Sequence, residues 1–377
     1  IFNTNNNGLI QINNDIFTEE EREYLRVNRF WVDDNEDEIA LLEREINHNI
    51  QKRQKELELT IALTNYCNFS CVYCYQNKNE KLMTTEVANM IIEKIDRILN
   101  DNIFEGINIH YFGGEPLLNI PVLIYLDENI KKITDKIGIV YKAFLTTNGS
   151  MLSKELLQKV KFSSIQLTFD GLEKTHDRLR VSDHFHFKEE IELIENIMNF
   201  SQAKVLLRTN ICKENKDEII ALHKYIFEKF GNERIEINPN RTIKYHQDDS
   251  FEMLSVQEYA EVAYQIKLLW SEQKGKFELP VPRSTPCKFP YGNAYAISPE
   301  GYCTFCSGSM DQEKKYFFDV DIENKKMFSV RKECKKCNIL PLCLGGCIIQ
   351  YNLRAGACTY EKYELKNILI SYIKHIS

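Results

Sequence analysis

Two periodicities alternate through the middle of the chain. Runs rich in β-branched and aromatic residues at 59–64, 107–112, 138–146, 164–169, 204–211 and 234–238 are each short enough for one strand. Between them, in 85–99, 153–161, 188–201 and 216–230, apolar residues recur every three or four positions, as on helices buried along one face. Strands joined by helical crossovers predict a parallel sheet, because parallel neighbours cannot be linked by a tight hairpin. Six such units are too few for a closed eight-stranded barrel, so a partial, open barrel or a doubly wound sheet is expected. In either case the reacting groups gather at the C-terminal ends of the strands.

The flanks read differently. Residues 1–57 are charged and helical in character: Thr18 followed by Glu21 has capping-box spacing, and Ile39, Leu42, Ile46 and Ile50 recur at helical spacing. The acidic run at 33–38 suits a helix start, where carboxylates meet the positive end of the dipole. Residues 251–273 read as one connecting helix, and the Pro-rich stretch 279–286 separates it from a region of different composition. The expected organisation is an N-terminal helical segment (1–57), a barrel (58–250), a connecting helix and linker (251–282) and a small Cys-rich domain (283–377). A last helix over about 360–374 is expected to pack back through Tyr363, Ile368, Ile370 and Ile373.

Composition narrows the chemistry. With 377 residues and 43% hydrophobic ones the chain can bury a proper core, so its 12 cysteines are not staples for a tiny fold. The net charge is −7, and no long basic run is interleaved with aromatics, which argues against nucleic acid as a partner. No stretch offers about 18 uninterrupted apolar residues, and the N-terminus lacks a basic, then apolar, export pattern. No membrane partner and a cytoplasmic location are therefore expected, although the first residue is not Met and a processed or trimmed start stays open. In a reducing compartment, clustered cysteines suggest metal or redox chemistry before disulfides.

Three of them, Cys67, Cys71 and Cys74, follow the first predicted strand in "CNFSCVYCYQ". A structural zinc site would need a fourth protein ligand. A four-iron cluster takes four thiolates, so three leave one iron with exchangeable coordination. Later strands also end in small or polar groups: "YFGGEP" with Gly113, Gly114 and Glu115, "LTTNGSML" with Asn148, "LTFDG" with Thr168 and Asp170, and "LRTN" with Arg208 and Asn210. Glycines permit a close backbone approach, and a carboxylate can receive charge-assisted hydrogen bonds from an ammonium. Plain turns are the alternative for Asn-Gly and Asp-Gly. Arg178, Arg180 and Arg208 are candidates for a carboxylate ligand, and Cys212 reads as a buried structural thiol.

The cysteine trio, the G-G-E turn and the polar strand ends resemble the radical S-adenosylmethionine (SAM) enzymes. The resemblance implies a partial (β/α)6 barrel in an α/β fold, with a [4Fe-4S] cluster on Cys67, Cys71 and Cys74. SAM would chelate its open iron and yield a 5'-deoxyadenosyl radical that abstracts hydrogen from a substrate. It places Tyr73 against the adenine and Gly113, Gly114 and Glu115 at the methionine amine. The later cysteines, Cys287, Cys306, Cys334, Cys337, Cys343, Cys347 and Cys358, resemble the SPASM extension of such enzymes, with a zinc ribbon as the plain alternative. By that resemblance Cys334, Cys337, Cys343 and Cys358 hold one auxiliary [4Fe-4S] cluster, and Cys287, Cys306 and Cys347 hold another. Residues 281–286 lack the extra upstream cysteine of sulfatase-maturating relatives, so Cys303 completes the second set or its iron stays open.

The function implied is peptide maturation: hydrogen abstraction from a ribosomally made precursor and an oxidative cross-link, with a cysteine thioether as the first choice. "LPLCLGGC" at 340–347 also resembles the usual ending of such maturases. Formylglycine formation and carbon–carbon cross-linking are the alternatives, and a non-catalytic iron–sulfur carrier accounts for fewer of the motifs. Three clusters, SAM, a Cys-containing precursor peptide and a flavodoxin- or ferredoxin-type electron donor are the expected cofactors and partners. Leader recognition is expected through a separate protein, the N-terminal helices or another surface.

Overall fold

The structure is a computed structural model that describes every residue except 1, 7, 11–16, 33–34, 77, 102–103, 232–233, 245–249, 305, 310–314, 321–326, 348–357 and 377. The first two acids of the 33–38 run lie outside the described residues. The chain divides into two compact units: one comprises 53–255 with 292–325, the other 1–52, 256–291 and 326–377.

A short N-terminal pair, β1 (Phe2–Asn3) and β2 (Gly8–Leu9), precedes the main sheet and belongs to the second unit. The first unit is built on β3 (Glu56–Ala62), β4 (Gly106–Phe112), β5 (Val140–Thr146), β6 (Phe162–Thr168), β7 (Lys204–Ile211) and β8 (Ile235–Arg241). These six lie side by side in sequence order and are parallel throughout. A doubly wound sheet would reverse its order at a switch point. The monotonic order winds every crossover in one direction, which is the partial-barrel arrangement. Residues 57–62 of β3 are buried without alternation, as in a parallel strand covered on both faces.

The crossovers carry the helical stripes read from the sequence. On α3 (Thr85–Asp101), Ala88, Ile91, Ile95 and Ile98 fall on one face and are buried. Each such isoleucine contributes about 1.5–3 kcal/mol by leaving water. Next comes α4 (Ile120–Ile137), with Pro121 in its first turn and Gly138 ending it at φ +84°, the left-handed geometry of a C-cap. Then α5 (Lys154–Lys159), α6 (Glu173–Leu179), α7 (Phe187–Phe200) and α8 (Ile219–Phe230) complete the crossovers.

The Cys-rich stretch also contributes to this sheet. Strand β9 (Asn293–Ile297) adds to β3 as a further parallel strand, and β10 (Tyr302–Thr304) and β11 (Lys315–Tyr316) extend it antiparallel. The sheet thus holds nine strands among the described residues. All five residues of β9 are buried.

In the second unit, α1 (Glu19–Val27) has the predicted capping box. Thr18 Oγ1 accepts from Glu21 N–H at 3.2 Å, and Glu21 Oε2 accepts from Thr18 N–H at 2.7 Å. Helix α2 (Glu38–Arg53) is capped by Asp37, which accepts from Ala40 N–H at 3.0 Å. Its Ile46 and Ile50 form a core with Phe328, Val330, Leu340 and Leu344, against which Ile39 and Leu42 also pack. Helix α9 (Val256–Lys274) packs on the last helix, α12 (Glu361–Ile376); the short α10 (Lys288–Tyr291) and α11 (Leu340–Cys343) lie between them in sequence. The buried residue of α12 is Glu364, paired with Lys267 at 2.5 Å, whereas Tyr363, Ile370 and Ile373 are exposed. Of the four apolar positions expected to pack this helix, Ile368 is half-buried and the other three are exposed, while a charged pair with α9 occupies its buried position.

Candidate active site

The loop that leaves β3 carries Cys67, Cys71 and Cys74, all half-buried and none in a disulfide. It is tied down by backbone hydrogen bonds from Ser70 N–H to Val181 O at 2.8 Å and from Val72 N–H to Leu179 O at 3.0 Å. Beneath it Phe69 is buried. Burial raises the Cys67 thiol above its usual range, with Glu115 adding to the effect, and pushes Cys71 up to about 12. Cys67 and Cys71 are thus held protonated in the ligand-free chain, and a metal group would displace their protons on binding. Their mutual electrostatic coupling places them around one region. Three thiols on one anchored loop at a strand end suit an iron–sulfur group held through three thiolates.

Gly113 and Gly114 serve this loop by letting two backbones touch. Gly114 N–H donates to Thr64 O at 2.9 Å and Glu115 N–H to Tyr66 O at 2.8 Å, so the end of β4 grips the segment leading to Cys67. A Cβ on Gly113, which sits at φ +137°, would lie 2.3 Å from Thr64 O; one on Gly114 would lie 2.2 Å from Tyr66 O. The close approach expected of a ligand is thus made by the protein's own backbone.

Glu115 is fully buried. Its Oε1 accepts from Leu117 N–H at 3.0 Å and from Thr147 Oγ1–H at 2.7 Å; its Oε2 accepts from Asn148 N–H at 2.6 Å. Burial raises its carboxyl to about 7, and the three donors only partly offset this. Asn148 in turn donates through Nδ2 to Asn68 Oδ1 at 2.8 Å and lies 3.8 Å from Cys67 Sγ. The third strand end is therefore wired directly to the cysteine loop.

On the other side, Tyr73 donates its hydroxyl to Asp170 Oδ2, and its ring meets Phe251 edge-on at 6.5 Å. Asp170 Oδ1 accepts from Asn210 N–H at 2.6 Å, joining the ends of β6 and β7. Burial raises the Asp170 carboxyl above its usual range despite Arg180 and these donors. Burial opposes the Arg180 charge, but Glu190, Cys71, Tyr73 and Asp170 outweigh it and hold the guanidinium protonated. Arg180 lies over the Phe69 ring at 5.4 Å, which makes it the arginine beside the cysteine loop. Arg208 instead donates from Nε to Asn210 Oδ1 at 2.8 Å, and Arg178 faces Glu214. Thr168 is buried at the end of β6. Cys212 is fully buried beside Leu179 and Phe251.

Some of the supporting groups were not legible as site residues. Thr147 and Asn68 sit inside the quoted motifs, yet only the folded contacts show that they hold Glu115 and Asn148. Asn215 ties Asp170 O and Asn210 O together, at 2.8 Å each. Behind Arg180, His176 Nε2 stands 3.1 Å from Glu190 Oε2, both buried. The spacing of "HDRLR" gives no hint of that partner on α7.

The second unit gathers Cys334, Cys337, Cys343 and Cys358 on the lining of one cavity of about 300 Å³. These are the four residues that the SPASM resemblance groups together. After Cys343 the chain turns through three left-handed residues, Leu344, Gly345 and Gly346. A Cβ on Gly346 would lie 2.3 Å from Thr359 Cγ2, so this turn needs glycine to bring Thr359 close. The thiol-lined cavity suits a group bound through four thiolates. Among the described residues, no three His, Cys, Asp or Glu side chains are grouped to hold a single metal ion. The other expected set is distributed: Cys303 is buried in β10 and Cys306 half-buried in the first unit, while Cys287 and Cys347 are exposed in the second. Cys306 Sγ accepts from Gly308 N–H at 3.3 Å.

A partial parallel barrel with three thiols after its first strand and a fixed carboxylate after its second defines a protein class. Residues 61–226 match the radical SAM superfamily, and the chain carries a radical SAM domain. Over 372 residues it is 24% identical to the radical SAM cyclopropyl synthase TigE of Paramaledivibacter caminithermalis, covering 86% of this chain and 76% of TigE. It is 34% identical over 119 residues to an uncharacterised protein of Methanocaldococcus jannaschii, of which it spans only 39%. Its fold is similar to that of anSMEcpe, solved with AdoMet and the Cp18Cys peptide (TM-score 0.67, 19% identity, 85% of this chain and 98% of that one). It is also similar to SuiB of Streptococcus suis (TM-score 0.57, 18% identity, 91% and 86% coverage). The fold is that of the radical SAM enzymes with a Cys-rich C-terminal region. Among the described residues no helix is long and apolar enough to cross a membrane.

Proposed function

We propose that this chain is a radical SAM peptide maturase that takes hydrogen from a residue of a ribosomally made precursor and closes an oxidative cross-link, first of all a cysteine thioether. The observation that carries the reading is the pairing, in one chain, of the anchored three-thiol loop with the separate four-thiol cavity. An enzyme that only cleaves SAM has no need of the second. Similar folds are those of SuiB, solved with its precursor peptide SuiA, and of anSMEcpe with its Cp18Cys peptide.

Cys67, Cys71 and Cys74 would hold a [4Fe-4S] cluster, and Glu115 would accept from the amine of SAM. Arg180, beside Cys71, would be the arginine that meets a carboxylate. Tyr73, Gly113, Gly114, Asn148, Thr168, Asp170, Arg208 and Asn210 form the surrounding strand-end wall. When bound, the cluster and SAM supply a hydrogen-abstracting radical. The chain's own groups orient and exclude water: buried Glu115 accepts three hydrogen bonds and buried Asp170 two from the chain itself, which fix both carboxylates in place and leave Glu115 acceptor capacity for an amine. Cys334, Cys337, Cys343 and Cys358 would hold a second cluster, and Cys287, Cys306 and Cys347 a third with Cys303 or with an open iron. An open iron would take a substrate thiolate, which is the ground for preferring a thioether. A separate leader-binding protein belongs to the same reading.

Carbon–carbon bond formation is the second reading, favoured by the likeness to a cyclopropyl synthase along most of the chain. The deciding experiment incubates the reconstituted protein with SAM, reductant and a Cys-containing precursor, followed by mass spectrometry. Loss of two hydrogens together with one free thiol supports the thioether. The same mass loss with every thiol still alkylatable supports carbon–carbon bonding, and no 5'-deoxyadenosine at all removes both.

A further inference from the structure

Along β6, β7 and β8 alternate residues face opposite ways. On one side Leu167, Leu207 and Ile211 are fully buried and Thr209 meets His223 of α8 at 3.2 Å, so the crossover helices cover it. On the other side Gln166, Arg208 and Asn238 are half-buried, and the strand pairing sets Arg208 beside Asn238 and Asn210 beside Asn240. The hydrogen bonds among these groups have a fixed polarity. Asn240 Nδ2–H donates to the backbone carbonyl of Asn238 at 2.9 Å and to Asn238 Oδ1 at 2.8 Å, and Asn238 Nδ2–H donates in turn to Gln166 Oε1 at 3.3 Å. Arg208 Nε–H donates to Asn210 Oδ1 at 2.8 Å, and an arginine can only donate. The side-chain oxygens of Gln166, Asn238 and Asn210 are thus occupied, while the amide nitrogens of Gln166 and Asn210 and the terminal nitrogens of Arg208 donate to no described group. Nor does a described carboxylate balance Arg208: Glu236 is taken by Lys204 at 2.5 Å, and Asp170 by Tyr73 and Asn210.

We propose that this face is a substrate subsite that takes the side-chain carboxylate of an aspartate or glutamate in the precursor peptide. Unspent donors around one unpaired cation call for an anionic acceptor, and a guanidinium fork binds a carboxylate through two parallel hydrogen bonds. The amide donors beside it suit the same carboxylate or a neighbouring peptide carbonyl. With the amine of SAM at Glu115, its carboxylate does not reach Arg208. Glu115 follows β4 and Arg208 stands in β7, three strand spacings or about 14 Å along the sheet, whereas the amine and carboxylate of an amino acid share one carbon. Strand β8 ends the sheet on this side, so an extended peptide reaches the face along its edge. The inference rests on the peptide-maturase reading and adds the chemistry of its substrate: an acidic residue close to the one modified.

The test measures, by calorimetry on the reconstituted protein with SAM, the affinity of three Cys-containing peptides blocked at both ends and differing only in an Asp, Asn or Lys beside the cysteine. Blocking leaves the Asp side chain as the only carboxylate. Wild type is expected to bind the Asp peptide about tenfold more tightly than the Asn peptide. Arg208→Gln should abolish that preference, and Arg208→Glu should turn it towards the Lys peptide, a gain that a misfolded chain cannot show. Gln166→Glu, which sets a carboxylate among the donors, should weaken the Asp peptide more than the Asn peptide. Equal affinities for the three peptides in wild type overturn the subsite, as does an Asp preference that survives in Arg208→Gln or an iron-loaded Arg208→Glu chain with no turn towards Lys. An Asp preference that depends on Arg208, in a protein that forms no 5'-deoxyadenosine with reductant, supports the subsite and defeats the maturase reading.

Discussion

Adding one methyl group at Gly113 or Gly114 tests whether the G-G-E turn exists for a ligand or for the backbone. The new Cβ would stand 2.3 Å from Thr64 O or 2.2 Å from Tyr66 O, where ordinary contact begins at 3.4 Å. The two segments must separate by the difference, about 1 Å, and neither is a side chain that can swing away. That separation strains the Gly114-to-Thr64 and Glu115-to-Tyr66 hydrogen bonds, 2.9 and 2.8 Å long, each worth about 1 kcal/mol. Gly113→Ala adds the strain of a non-glycine residue at positive φ, about 1–3 kcal/mol. Gly113→Ala is therefore expected to destabilise the ligand-free chain by about 3–5 kcal/mol and Gly114→Ala by about 2–3 kcal/mol. Both variants should also lose iron from the Cys67–Cys74 loop, which hangs from the displaced segment. Urea unfolding of the metal-free chain gives the first quantity and iron analysis after reconstitution the second. If both variants unfold at the wild-type urea concentration and lose only SAM binding, the glycines make room for the ligand and the backbone argument is wrong.

Three further outcomes follow from buried groups. Burial lowers the pKa of His223 to about 3, so in acid the unfolded chain takes up a proton that the folded chain refuses. Stability from this residue is present above the unfolded pKa of 6.5 and falls as the pH drops. Wild type should lose about 2 kcal/mol more than His223→Leu between pH 7 and pH 5, and parallel losses in urea titrations would contradict the assignment. Glu115, held at about 7, is protonated below that pH and then cannot attract an ammonium. SAM binding to the reconstituted protein should weaken as the pH falls below 7, by up to about tenfold per unit, and Glu115→Gln should flatten the profile; a flat wild-type profile would remove Glu115 as the amine partner. With three four-iron clusters the protein binds about twelve irons, and Cys334→Ser with Cys337→Ser should remove about four of them; an undiminished count would exclude the four-thiol cavity as a cluster site.

What the sequence determined by itself was whatever repeats locally. The alternation of β-rich runs with helical stripes gave six parallel strands, because strand and helix periods differ and crossover length forces parallel pairing. The Thr18–Glu21 box and the Ile46 and Ile50 stripe are equally local and appear in the folded chain. Cys67, Cys71 and Cys74 were readable because their spacing lies within a single loop, and the set of Cys334, Cys337, Cys343 and Cys358 because a known pattern groups them. The tertiary structure alone decided the rest. A sequence cannot choose between one-way and two-way winding, since both use the same elements; strand order settles it. Nor does the short run 293–297 announce that it completes the sheet beside β3, because its edge partner lies far away in sequence. Thr147 against Glu115 and Asn215 beneath Asp170 were hidden for the same reason: a buried polar group is satisfied by whatever the fold brings within 3 Å. The charge of Glu190 behind Arg180, on a different helix, was hidden likewise. Likewise the last helix buries Glu364 against Lys267 and leaves Tyr363, Ile370 and Ile373 exposed, since a buried carboxylate must be paired wherever it lies.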